Sequence, residues 1–366
     1  MPINLHKLPS LVGVMVVTEL EYQEIFLLSL CSRRTTFLVE KAGIKAPKLT
    51  FQLEECHGYY QFKIGIMNNY ILLPIMTLMH FSKKLKSKRR FTVKFGLEYE
   101  ADTSLQLRCE MFSMQDGSFQ HRIYCAHEPV VVQQVFQDQI NSIFHYFDTY
   151  QLIMSVKCKG PLPNVTNVSK IQIEDETVDP QFLTNVLTTY SDHHSLSVLS
   201  RIVGELPNDS PFFQVQNIYV HTQCGPDYFH NFVGRNMNLY NVTVTEQDVI
   251  QFLHKWISNE AYHNLDTLSL CTRKPMNGDQ IRQAIELEEY DPNKPEKRPA
   301  HYAFERGYIG STPKVYNLGH DFVEIKRTTD GKRAFLYAHG YHFKLFVHKN
   351  CFYENDVPNG FLTFPM

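Results

Sequence analysis

From residue 169 to residue 289 the chain repeats one short pattern, and this limits its possible folds more than any other feature. A strand-like run, SKIQIED, precedes a helix-like run, DPQFLTNVLTTY. VQNIYVHT precedes a short polar and aromatic segment, GPDYFHNFVG. NMNLYNV leads into a helix beginning at Thr245, and LDTLSL leads into GDQIRQAIELEE. The step from Leu239 to Leu268 is 29 residues, the size of a leucine-rich or similar strand-helix repeat. Each such unit has an apolar face that it cannot cover alone, so units of this kind stack. An ordinary α/β sheet is the other architecture the pattern allows.

Within this region TEQDVIQFLHKWI is the clearest helix. Thr245 is placed as N-cap and Asp248 at the acidic third position of a capping box. Val249, Phe252, Leu253, Trp256 and Ile257 follow at i, i+3, i+4, i+7 and i+8, a stripe that faces a core. Trp256 is therefore read as a packing anchor. DPNKPEKRPA (291–300) reads as a surface loop. The end of the chain is β again, with a hairpin turn at Asp330-Gly331 and Phe322, Ile325, Phe335 and Tyr337 beside it.

The first 160 residues have a different texture. Residues 6–42 predict three short helices. Pro9 suits the first turn of one, because the donor it lacks would be orphaned there. A second helix begins near Glu21 and carries Ile25, Leu28 and Leu30. A third runs from about Arg33, carries Phe37 and Leu38, and stops at Gly43. A unit this small buries little apolar area by itself, so another body must cover part of it.

KLTFQLEE, YYQFKIGI, RRFTVKFGLEYE, LQLRCEMF and FQHRIYC each alternate as strands do, with Asp116-Gly117 as a turn between the last two. The most apolar stretch, NNYILLPIMTLMHF, is shorter than a bilayer span and is interrupted by Pro74. The basic run KKLKSKRR (83–90) reads as a solvated loop. From Pro129 to Tyr150 the pattern is helical, with Val132, Val135, Phe136, Ile140, Ile143, Phe144 and Phe147 on one broad face, before CKGPLPNVTN breaks it. The expected fold class is α+β with an α/β part, in three segments: 1–45 helical, 46–160 β-rich with a closing helix, and 161–366 strand-helix repeat-like, ending in a β-hairpin.

Composition narrows the function. Lys plus Arg is 36 against 38 Asp plus Glu, a formal net charge of −2, so the broad basic field of a sequence-independent nucleic-acid binder is missing. Eight cysteines at irregular spacing, none in a C-x-x-C pair, fit free thiols in a reducing compartment. The start of the chain lacks the basic and apolar regions of a signal peptide, and the expected location is the cytoplasm or nucleus, with no membrane contact. The sequons at Asn164, Asn167 and Asn241 are read as chance occurrences.

No recognised catalytic pattern is present: no P-loop, dinucleotide fingerprint, nucleophile elbow, kinase set or H-E-x-x-H. His339, His342 and His348 lie together in a β-rich segment, but no acidic or cysteine pattern completes a metal site. Glu174, Asp175 and Glu176 read as a solvated turn. The chain is expected to be no enzyme, with no cofactor and no metal.

The leading helices resemble an F-box, on Leu8-Pro9, Leu11-Val12, Leu20, Glu24-Ile25, Leu28-Ser29 and Ser32-Arg33-Arg34. The stretch LPSLVGVMVVTELEYQEIFLLSLCSRRTTFLV is similar to the version found in the large nematode F-box families, apart from the valine-rich run ending in Val17-Thr18. TEQDVIQFLHKWI followed by LDTLSL, and DFVEIKRTTDGKRAFL, resemble the type-2 F-box-associated domain of those proteins. The resemblance implies a substrate-recognition adaptor of a cullin-RING ubiquitin ligase. Leu8, Pro9, Leu11, Val12, Leu20, Ile25 and Leu28 would contact the ligase's linker subunit, about half of them being claimed by the unit's own core. The C-terminal domain would hold an unknown protein substrate. The other readings are a scaffold that does not engage the ligase, and an enzyme with an unrecognised site around His339 and His342.

Overall fold

The computed structural model describes residues 9–46, 49–56, 59–68, 71–80, 94–99, 103–113, 119–125, 129–145, 149–155, 162, 165–291, 293, 299–304, 309, 311, 314–348, 352–353 and 362–363. The chain divides into two compact units, Met1–Val168 and Ser169–Met366. Both are mixed, so the molecule is α+β.

The first unit opens with helices α1 (Ser10–Thr18), α2 (Tyr22–Ser29) and α3 (Arg33–Ala42). Their ends are written locally. Pro9 is the N-cap of α1, and its carbonyl accepts from the Gly13 amide at 3.0 Å. Glu21 and Glu24 cap α2 reciprocally, as Ser32 and Thr35 cap α3. Gly43, at φ +60°, ends α3 in the left-handed conformation that a side chain disfavours. Gly13 lets α1 approach α3, since a Cβ there would meet Leu38 Cδ1 at 3.1 Å.

The strands that follow are β1 (Ile44–Lys45), β2 (Leu49–Cys56), β3 (Tyr59–Asn68), β4 (Ile71–His80), β5 (Lys94–Tyr99), β6 (Thr103–Ser113) and β7 (Phe119–Cys125). Helix α4 (Pro129–Ile143), β8 (Phe144–His145) and β9 (Tyr150–Ser155) complete the unit. The sheet order is β9-β2-β3-β4-β7-β6-β5, with β2, β3 and β4 as an antiparallel meander. The turn at Asp116-Gly117 and the basic run 83–90 lie outside the described residues.

Strand β4 occupies the apolar stretch around Pro74, where the sequence predicts no strand. Pro74 cannot donate to a ladder, and it sits where the register with β3 shifts, opposite Gly65. A Cβ on Gly65 would come within 2.4 Å of the Leu73 carbonyl oxygen, so the shift needs glycine there. Helix α4 buries Val132, Val135, Phe136, Ile140 and Ile143 as expected, but it stops at Ile143. Phe144 instead starts a short strand that pairs parallel with β1, and Phe147 lies outside the described residues.

The second unit runs through β10 (Val168–Glu174), β11 (Thr177–Val178), α5 (Pro180–Thr189), β12 (Ser195–Val198), β13 (Arg201–Ile202), β14 (Asn217–Val220), α6 (Asp227–His230), β15 (Asn236–Val242), α7 (Glu246–Ile257) and β16 (Thr267–Met276). It continues with α8 (Gly278–Gln283), β17 (His301–Phe304), β18 (Lys314–Asn317), β19 (Val323–Lys326), β20 (Arg333–Val347), β21 (Phe352–Tyr353) and β22 (Leu362–Thr363). Strands β10, β12, β14, β15 and β16 lie side by side in chain order, all parallel. Their paired residues step from Ile171 to Leu196, Ile218, Met237 and Leu268, at intervals of 25, 22, 19 and 31 residues. Leu239 pairs with Leu270, not Leu268, so the 29-residue step is two short of the true register. The four-residue strand β12 has no counterpart in the sequence prediction.

Strand β20 closes the parallel series antiparallel to β16 and turns back onto β19 around Gly331, whose φ is +68°. Helix α7 has both halves of the capping box, and Trp256 is fully buried, with the Arg327 guanidinium 4.8 Å from its ring centroid. Helix α8 ends at Gln283, earlier than its pattern suggests. Glu288 instead exchanges backbone hydrogen bonds with Glu324.

Candidate interaction surfaces

The first candidate surface is on α1. Its sequence, SLVGVMVVT, is apolar on every side, and one side packs on α3 through buried Gly13 and Val17. The opposite side carries Leu11 (73% exposed), Val12, Met15 (61% exposed) and Val16, residues at i, i+1, i+4 and i+5. Phe37 on α3 is 65% exposed. A helix that is apolar all round is ordinarily buried on every side.

The seven residues that the F-box resemblance nominates separate here. Pro9, Leu11 and Val12 are exposed, and Leu20 and Leu28 are half-buried. Ile25 is 1% exposed and forms part of the unit's own core, so it is not available to a partner. Its neighbour Phe26 is also buried, 5.9 Å from the Phe136 ring of α4 and stacked at 5.9 Å on His121 of β7. Leu8 lies outside the described residues. Met15, Val16 and Phe37 were missed. For Met15 and Val16 the signal was available, because they sit one helical turn beyond Leu11 and Val12.

The second surface is one face of the parallel strands. Alternation sends Ile171, Ile173, Leu196, Ile218, Met237 and Leu239 into the core. Polar and aromatic residues take the other side in register: Gln172, Ser197, Tyr219, Asn238 and Ser269 form one row. Ser195, Asn217 and Asn236 form a second row, joined through Asn217 Nδ2 to Ser195 Oγ (3.1 Å) and Asn236 Nδ2 to Asn217 Oδ1 (2.7 Å). Tyr219, His221 and Tyr240 make an aromatic cluster, with Tyr219 6.0 Å from His221 and 5.4 Å from Tyr240. On β12 this face carries only the small side chains of Ser195 and Ser197, and both are buried. Ser197 is fully buried, and its Oγ has no hydrogen-bond partner.

His339 and His342 are both exposed on β20, with Gly340 at φ +55° between them. Partial desolvation of the ring by its neighbours, then the charge of Lys344, holds the His342 imidazole below its ordinary pKa. Among the described residues no three His, Cys, Asp or Glu side chains come together as a metal site, and no helix is long and apolar enough to cross a membrane. No family model matches the chain, and neither a curated protein nor a solved structure matches it.

Proposed function

We propose that this chain is a substrate-recognition adaptor of a cullin-RING ubiquitin ligase. The leading helices act as an F-box that docks on the linker subunit, and the second unit acts as a leucine-rich-repeat-like, F-box-associated module that holds a protein substrate. The chain itself does no chemistry in this reading; it brings the substrate to the active cysteine of another protein. The carrying observation is the uncovered side of α1, where Leu11, Val12, Met15 and Val16 face outward. Covering a side chain of that size contributes about 1.5–3 kcal/mol, so two or three suffice to seat a partner helix. The chain-order parallel strands of the second unit support the repeat-like part, since each needs its neighbour to cover its apolar side.

The test is co-purification with the linker subunit. A Leu11→Asp, Met15→Asp double variant changes only exposed positions, so it is expected to fold normally and to lose the linker. Undiminished co-purification rejects the docking assignment.

A further inference from the structure

We infer that the bulge Arg273-Lys274 at the end of β16 captures a short acidic peptide segment, the two cations taking carboxylates of one Asp/Glu run. This deepens the adaptor reading and rests on it only in calling that peptide a substrate.

The ladder between β16 and β20 pairs Cys271 with His342 and then Met276 with Gly340. Thr272, Arg273, Lys274 and Pro275 therefore stand against Tyr341 alone, and the surplus backbone is pushed out of the sheet. The bulge is held in one shape. The buried Thr272 hydroxyl lies 2.7 Å from the Lys274 carbonyl oxygen and 3.2 Å from that of Tyr341. Pro275 fixes its own φ and keeps Lys274 extended. Arg273, Lys274 and Pro275 are all exposed, and Tyr341 opposite them is 51% exposed. Bulges of this kind re-aim side chains, and ligands of open parallel sheets gather at the carboxyl ends of the strands.

The charge around the bulge has one sign. Strands β14, β15, β16 and β20 carry not one Asp or Glu. They carry four Arg or Lys: Arg273, Lys274, Arg333 and Lys344. Two of these are committed. Arg333 is paired with both oxygens of Glu324, and the Lys344 ammonium lies over the Tyr316 and Tyr337 rings. The side chains of Arg273 and Lys274 make no ion pair or hydrogen bond among the described residues. Of the carboxylates at the starts of α7 and α8, Glu246 accepts from the Asn277 amide at 2.8 Å and Asp248 from the Thr245 amide at 2.8 Å. Asp279 forms no ion pair with either cation.

Two uncommitted cations on a fixed bulge call for an anion. The Arg273 guanidinium matches a carboxylate with two parallel N–H donors, and the Lys274 ammonium serves a second one as a point charge. His339 and His342, both exposed on the facing hairpin, add N–H donors at the rim. A nucleic acid is favoured less, because its affinity comes from many phosphate contacts and this patch offers two full charges on a chain of net charge −2. A short acidic peptide needs no more than these two.

The experiment titrates the capped peptide Gly-Ser-Glu-Asp-Glu-Asp-Ser-Gly into the full chain by calorimetry at low salt, beside its amide counterpart Gly-Ser-Gln-Asn-Gln-Asn-Ser-Gly and a short oligothymidylate. The acidic peptide is expected to bind at least about tenfold tighter than either. An Arg273→Gln, Lys274→Gln double variant changes two exposed side chains without partners, so it should fold normally and lose that preference. Arg201→Glu on β13 makes an equal change in net charge elsewhere and should retain it. Equal binding of the acidic and amide peptides, no binding of either, oligothymidylate binding as tight as the acidic peptide, or a preference that survives the double glutamine variant overturns the proposal. The double glutamine variant should still co-purify with the linker subunit, and the Leu11→Asp, Met15→Asp variant should still bind the acidic peptide. Failure of the bulge is thereby distinguished from failure of the ligase reading.

Discussion

Single positions in the leading helices show how little a residue's type says about its role. Ile25 and Leu11 are both large aliphatic residues on short helices, yet one is sealed in a core and the other stands in solvent. His121 makes the same point with a charge. It lies against Phe26 with its Nε2 unpartnered, and burial pushes its pKa down to about 4. The fold therefore favours the neutral ring, while the unfolded chain takes up a proton near pH 6.5. Stability of the first unit should be full above pH 6.5 and fall by about 2 kcal/mol by pH 5 and about 3 kcal/mol by pH 4 from this group. Hydrogen exchange at β7, compared between wild type and His121→Leu, measures it. A wild-type pH slope no steeper than that of the leucine variant contradicts the assignment.

Elements add constraints that no single residue carries. β4 is a strand only because a proline and a glycine from two different segments meet at one irregularity. Gly65→Ala would drive a Cβ against the Leu73 carbonyl, a backbone atom that cannot rotate away. The substitution should cost more than about 2 kcal/mol, beyond the typical effect of a surface change. Hydrogen exchange should show the loss in β3 and β4 first, and normal protection in both strands would refute the argument. By contrast, Thr245 and Asp248 specify the start of α7 from within four residues, and the sequence locates that start correctly. Helix ends and the Gly331 turn were legible because they depend on hydrogen bonds and dihedral angles between near neighbours. β12 was not, because four residues following a polar run carry too little alternation to stand out.

At the scale of the molecule, the leading helices are joined to the body of the first unit by Phe26, which packs on Phe136 and His121, and by the Gln139 side-chain bond to Ser29 at 3.1 Å. Removing residues 1–45 would uncover Phe136 and His121. Limited proteolysis of such a truncated chain should therefore cut within 46–168 and spare 169–348; equal resistance of both parts would show that the helices are dispensable to the fold. The exposed Leu11 and Met15 offer the cleaner way to separate the two proposed roles. The sequence by itself determined the two textures of the chain, the caps of α2, α3 and α7, the hairpin at Asp330-Gly331 and the presence of more apolar surface than the leading helices can hide. Only the tertiary structure decided which of those apolar residues stay uncovered and how far each parallel strand steps. A cap or a turn is a contract among adjacent residues. Coverage and register are set by segments distant in the chain, and these meet only once the whole unit has closed.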